Sequence, residues 1–259
     1  MMKKYVWIFL TLICFFEAKT QKTYHHNVVW GRLVLTDTLS KNLRWELYLQ
    51  HRRQNTEQTD FDVLAANQFT SYWPWLHYTV SPKTKISLSP IGYFKSWILI
   101  TQPTDVEKPG VREWRVSARI DNESKGKYFN IINRYGLEYR NRDLLNNNVF
   151  QPNWRVRYML RLEKPFKIKG SKKTLTAVVN DEIFIQFGKA VRGNPNIFDQ
   201  NRLYAGLNFP FTKNIKGSLG YVWGIQARNS GKEIDYYNFL WGVLTFDNLF
   251  SQFNKKSKS

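Results

Sequence analysis

The chain has 259 residues, with 39 Lys+Arg against 20 Asp+Glu, a net charge of +19 and an isoelectric point near 9.9. Aromatic side chains make up 16% of it while the mean hydropathy is −0.49. That balance is too polar for a bundle of membrane helices and too aromatic for a disordered chain, and the length is ample for one large core.

The first segment reads as an export signal. Lys3 and Lys4 supply a basic start, Tyr5 to Phe16 form an apolar or uncharged run, and Glu17 followed by Ala18–Lys19–Thr20–Gln21 supplies a cleavage region. A bilayer span needs roughly 20 apolar residues, so this run is too short for a membrane helix, and residues 1–21 are assigned to a signal peptide. Cys14, the only cysteine, falls inside it. The mature chain is therefore expected to have no disulfide, thiolate nucleophile or Cys-bound metal.

From Val28 onward apolar residues recur at every second position, the period of a strand with two unlike faces. Eleven segments follow: Val28–Leu39, Leu43–Arg53, Phe69–Val80, Lys85–Ile100, Trp114–Ile120, Asn133–Arg142, Trp154–Glu163, Leu175–Phe187, Arg202–Phe211, Ser218–Ala227 and Asp235–Phe246. In the second, Leu43, Trp45, Leu47 and Leu49 alternate with Arg44, Glu46, Tyr48, Gln50 and Arg52. The Trp114, Asn133 and Trp154 segments repeat the design, each with one apolar face and one face of mixed charge. Connections alternate between short ones, such as Ser81–Lys83 and Glu123–Lys127, and long ones, such as Asn55–Asn67 and Lys189–Asn201. That is the signature of an antiparallel meander with turns at one end and loops at the other.

The strands exceed the five or six residues usual in soluble sheets and suit the roughly nine to eleven of a tilted membrane strand. An exported chain of this kind is expected to close into an all-β, antiparallel up-and-down transmembrane barrel of about 10–12 strands, spanning residues 22–253 and followed by a basic tail, 254–259. Bacterial single-chain barrels are even-numbered, so the eleven segments imply that one is split, missed or outside the wall. Trp45, Trp114 and Trp154 each follow a turn or loop closely, where an aromatic girdle would stand. With the apolar faces toward lipid, the lumen would receive Arg44, Glu46, Arg52, Arg115, Arg119, Arg134, Glu138, Arg140, Arg155, Arg157, Arg161, Glu163, Glu182 and Arg202. Arginine forks on carboxylates would brace such a wall, and an anion-lined path or ligand pocket is the functional counterpart of the same arrangement.

The segment Phe198–Asp199–Gln200–Asn201–Arg202–Leu203–Tyr204–Ala205–Gly206–Leu207 resembles a signature of the outer-membrane family catalogued as domain of unknown function 2490, of Bacteroidetes type. Similar likeness lies in Trp45–Glu46 with Arg52, in Arg134 to Arg140, in Arg155 to Glu163, in Asn180 to Phe184 and in Gly220–Tyr221. The resemblance runs from about Trp30 to Phe246 and implies an outer-membrane β-barrel, with no activity or catalytic residues attached.

Catalytic constellations are sparse. No His-x-Ser pair occurs, and His77 and Ser81, four residues apart on one strand face, are separated by roughly 13 Å. His25 and His26 diverge as strand neighbours with no nearby carboxylate, His51 falls on the lipid-side face, and Asn180–Asp181–Glu182 alternates faces. No metal or cofactor is expected, and no nucleic-acid-binding module accompanies the dispersed basic residues. Lys108, Arg112, Arg142, Arg192 and Lys232, in or beside long loops, are placed to meet lipopolysaccharide phosphates. The expected function is a non-enzymatic outer-membrane barrel of a Gram-negative bacterium, structural or passing small solutes. Its partners would be outer-membrane lipid, lipopolysaccharide and the barrel-insertion machinery. The alternatives are a lipid- or lipopolysaccharide-modifying enzyme of the same membrane and a soluble secreted barrel that binds an apolar ligand.

Overall fold

The computed structural model describes residues 21–56, 61–167, 170, 173–194 and 197–254. The expected signal segment 1–20, with Cys14, and residues 255–259 of the expected tail lie outside the described residues. Each of the eleven alternating segments is a strand: β1 (Lys22–Thr38), β2 (Leu43–Gln54), β3 (Ala66–Ser81), β4 (Thr84–Ser96), β5 (Val111–Lys125), β6 (Asn130–Asp143), β7 (Gln151–Lys167), β8 (Thr174–Phe187), β9 (Phe198–Pro210), β10 (Ile215–Ala227) and β11 (Glu233–Phe246). A single helical turn, α1 (Ser251–Asn254), follows the last strand.

The sheet closes on itself, and all eleven strands belong to the wall. Every sequential pair is antiparallel, but β1 and β11 pair in parallel from Lys22↔Glu233 to Leu35↔Phe246. The expectation of a split, missing or extraneous strand is thus corrected. A chain that reverses at every connection runs its first and eleventh strands the same way, so only a parallel seam can close the ring. That seam leaves no unpaired edge, the condition that closure has to meet in lipid. The odd count also puts the ends of the barrel domain apart: Lys22 sits beside the long loops, whereas Phe246 sits beside the short turns.

Register aligns the two faces around the wall. Leu76, Leu88, Ala118, Leu137 and Val156 are successive cross-strand partners on the outside, from β3 to β7. The outer face carries exposed Tyr72, Val116, Ile183, Leu203, Leu219 and Leu240, the last 55% accessible. Strands of about 14 residues are roughly 46 Å long and, tilted by roughly 40°, stand about 35 Å high, taller than the apolar band of a membrane barrel. Pro74 and Pro90 sit at the register break between β3 and β4, where a missing N–H interrupts the ladder least.

The tryptophans divide between the two faces. Trp114 packs at a tilt against Tyr93 at 5.1 Å and Trp154 against Tyr139 at 4.8 Å on the outside, near the long-loop end. Trp45 packs 6.3 Å from Phe250, which follows β11. By contrast Trp30, Trp73 and Trp75 are buried inside the barrel, with Trp241 packed against the same interior. The interior therefore holds two aromatic clusters as well as charge. One is built around Trp30, Tyr204, Tyr237 and Phe239, the other around Trp73, Trp75 and Phe94.

Candidate functional site: the barrel lumen

Antiparallel register sets the charged positions of β5 to β8 side by side. Glu113 of β5 takes Arg115 at 2.6 Å and Arg140 of β6 at 2.7 Å, with Arg142 at 3.8 Å. Glu138 of β6 takes Arg155 and Arg157 of β7, each at 2.6 Å, and Arg115 at 3.2 Å. Arg157 reaches on to Glu182 of β8 at 2.6 Å, and Arg155 to Asp199 of β9 at 3.2 Å. The result is one continuous ladder in which Arg115, Arg155 and Arg157 each bridge two carboxylates on different strands, while Arg140 and Arg142 end on Glu113. Breaking a buried pair of this kind by removing one partner costs about 3–5 kcal/mol, because the orphaned charge cannot return to water.

A second carboxylate cluster lies toward the short turns. Asp121 accepts from Arg134 at 2.5 Å, with Arg119 and Lys85 each at 3.7 Å, and Arg161 pairs with Glu163 at 2.6 Å. Arg44 and Lys216 both bind Asp247, just past β11. Burial would raise the Asp247 carboxyl, but hydrogen bonds from Lys216 and Arg44 outweigh it and hold it below the ordinary range. Asp37 accepts the backbone N–H groups of Phe250 at 2.6 Å and Ser251 at 2.8 Å, tying the chain end beneath the barrel.

The surroundings of Trp30, reached by side chains from β1, β2 and β9, are different. Three guanidinium groups surround the single indole of Trp30: Arg52 at 3.7 Å, Arg32 at 5.1 Å and Arg202 at 5.7 Å from its ring. None of the three forms an ion pair among the described residues. Arg52 is 7% accessible, lies 4.4 Å from the Phe69 ring, and its Nε has no hydrogen-bond partner. Arg32 bonds to Gln50, while Arg202 donates to Gln200 at 2.7 Å and to the Tyr237 hydroxyl at 3.2 Å. Stacking on aromatic faces returns up to about 2 kcal/mol per cation. Removing an ion from water costs several.

A cavity of about 730 Å³ runs between these walls, from Lys108, Leu145 and Asn229 at the long-loop mouth to Arg134 and Arg161 deeper in the barrel. The connection between β4 and β5 folds across the mouth. Its Leu99 and Ile100 are buried, Gln54 binds the Ile98 carbonyl at 2.9 Å and the Ile100 amide at 3.2 Å, and Arg228 donates to the Leu99 carbonyl at 3.0 Å. In this loop burial would raise the Asp105 carboxyl, but Lys108, the Thr101 amide and the Thr101 hydroxyl lower it to about 2.

Of the residues expected in the lumen, Arg52, Arg115, Arg119, Arg134, Glu138, Arg140, Arg155, Arg157, Arg161, Glu182 and Arg202 line this cavity, and Arg44, Glu46 and Glu163 lie outside its lining. Sequence reading passed over Arg32, Glu113, Asp121, Asp199, Arg228 and Asp235. Glu113 and Asp121 continue the parity of Arg115 and Arg119 by one step at each end, so a longer window would have found them. Arg32 was hidden because its neighbours on the inward face of β1, Val28, Trp30 and Val34, are apolar. Of the five loop cations, Lys108 binds Asp105, Arg112 binds Asp143 and Arg142 lies beside Glu113.

The histidines also find partners across strands. His26 binds Asp235 at 2.9 Å. His77 and Ser87 are register partners on β3 and β4, their Nδ1 and Oγ atoms 2.7 Å apart. On its other side Nε2 lies 2.9 Å from a Glu46 oxygen, in a contact bent away from hydrogen-bond geometry. Ser87 thus succeeds where Ser81 was too far, because the neighbouring strand supplies it. Neither His77 nor Ser87 lines the cavity, and both are fully buried, so no carbonyl has a path to the hydroxyl.

A family model described as protein of unknown function (DUF2490) matches residues 27–235, and the chain belongs to that family. Among solved structures, the siderophore receptor PirA from Pseudomonas aeruginosa matches at 11% identity with a TM-score of 0.31, covering 73% of this chain and 33% of that chain. A mutant (G324V) of the ferric enterobactin receptor PfeA from the same organism matches at 11% identity with a TM-score of 0.29, covering 73% of this chain and 35% of that one. This chain therefore spans about a third of the length of each receptor. No curated protein matches it.

Proposed function

We propose that this member of the DUF2490 family is a non-enzymatic outer-membrane β-barrel, structural or passing small solutes, whose Arg/Glu-braced chamber opens on the long-loop side. The observation that carries the reading is the reversal of the soluble pattern. Buried Arg115, Glu138 and Arg155 stand inside, while Leu137, Val156 and Leu240 face outward. A soluble barrel with this distribution would bury its charges and expose an apolar belt to water, against the hydrophobic effect on both sides. A lipid-modifying enzyme fits less well, because the Ser87–His77 contact is sealed from the cavity.

Fractionation of expressing cells tests the reading, with migration compared before and after boiling. A detergent-extracted outer-membrane band that shifts on heating is expected, and a soluble periplasmic protein with no shift overturns it. In planar bilayers the ladder across the lumen predicts small conductance. Tags placed before Lys22 and after Asn254 are expected on opposite faces of the membrane, since β1 starts and β11 ends at opposite ends of the barrel.

A further inference from the structure

We propose that Arg32, Arg52 and Arg202, gathered around Trp30, form a binding site for a small organic oxyanion, a carboxylate or phosphate carried on an apolar body. The carboxylates of the same region are already committed. Glu182, the register partner of Arg202, turns instead to Arg157, Asp199 binds Arg155, and Asp235 is held by Arg228 and His26. Three positive charges thus converge on one ring without a protein counter-charge.

Geometry defines what they would accept. Arg52 lies against the Trp30 ring and close to that of Phe69, so its donors are free only along the edge of the guanidinium plane. The buried Nε lacks any partner there. A planar fork offered edge-on matches two oxygens of a carboxylate or phosphate. Arg202 is held in place by Gln200 and by Tyr237, whose hydroxyl itself donates to Gln200 at 3.1 Å. Trp241, Tyr204 and Phe69 line the same cavity and supply the apolar surface for the rest of the ligand. A chamber of about 730 Å³, open at the long-loop mouth, suits a small organic molecule.

The site deepens the barrel reading and rests on it only for the route by which the anion arrives. Its test uses the full chain folded in detergent, in chloride buffer, titrated with benzoate and separately with inorganic phosphate. Binding is followed by tryptophan fluorescence and calorimetry. Saturable binding is expected, weakened on the order of tenfold or more by Arg52→Gln and by Arg202→Gln, and unchanged by Lys213→Gln on an exposed short turn. Arg52→Lys keeps the charge and loses the fork, so it too is expected to weaken binding, and it stands in if Arg52→Gln does not fold. Tighter binding of benzoate than phosphate assigns a carboxylate with an apolar body, and the reverse assigns a phosphate. Failure of both probes to saturate overturns the site, as does equal affinity in wild type and both Gln variants. A heat-shifted band from the same preparation separates this failure from failure of the barrel reading.

Discussion

The two walls of the lumen hold arginine in opposite ways. On β5 to β8 each inward guanidinium of the ladder touches a carboxylate, and Glu113 and Glu138 hold three each. Around Trp30, by contrast, Arg32 of β1, Arg52 of β2 and Arg202 of β9 meet indole, phenyl and amide groups, with no carboxylate partner. The same residue type is therefore a brace on one side and an unsatisfied cation on the other. What differs is the neighbour that register supplies.

The sharpest way to break this contrast is to remove one residue from each wall. Glu138→Gln removes one of the two carboxylates that each of Arg115, Arg155 and Arg157 touches and is expected to cost about 3–5 kcal/mol in urea unfolding of the detergent-folded barrel. Arg52→Gln removes an ion with no carboxylate partner, exchanging a lost stack for a relieved desolvation penalty, and is expected to stay within about 1 kcal/mol of wild type. Equal losses in the two variants would erase the distinction.

Gly224→Ala probes how the unpaired wall is held. Gly224 and Tyr237 are register partners, and a Cβ at Gly224 would run into the Tyr237 ring that orients Arg202. Overpacking of this kind is expected to cost about 1–3 kcal/mol and to change the near-ultraviolet dichroism of the aromatic cluster.

The smallest effect is expected at the mouth above both walls. A carboxyl lowered to about 2 stabilises the folded loop fully above its ordinary value near 4, and that contribution is lost as pH falls from about 4 to about 2. Hydrogen exchange at the Thr101 and Gln102 amides, which Asp105 accepts, should accelerate in that window while the strand amides stay protected. Asp105→Asn should remove the dependence.

Much of the wall was legible because a strand writes its two faces into alternate letters. Trp154, Val156 and Leu160 against Arg155, Arg157 and Arg161 needs no partner to be read. The aromatic interior of β1 broke that reading, since Trp30 and Val28 point inward where the rule expects charge. The resemblance to the family rested partly on Arg202, Tyr204, Gly206 and Gly220, and packing gives those letters a role. Gly206 and Gly220 are cross-strand partners, both lying beneath the Tyr204 ring, where a Cβ would collide. His77 shows the converse limit, because its partner Ser87 lies ten residues away in sequence but directly opposite on the next strand.

The sequence by itself located eleven alternating segments and determined, within each, which residues share a face. These follow from a local period of two and from turn chemistry. Only the tertiary structure decided that all eleven stand in a wall closed by a parallel seam, which carboxylates the lumen arginines meet, and that Arg32, Arg52 and Arg202 meet none. Those outcomes depend on the register between strands and on the curvature that brings β1, β2 and β9 to one indole, and neither is written in the alternation of any single strand.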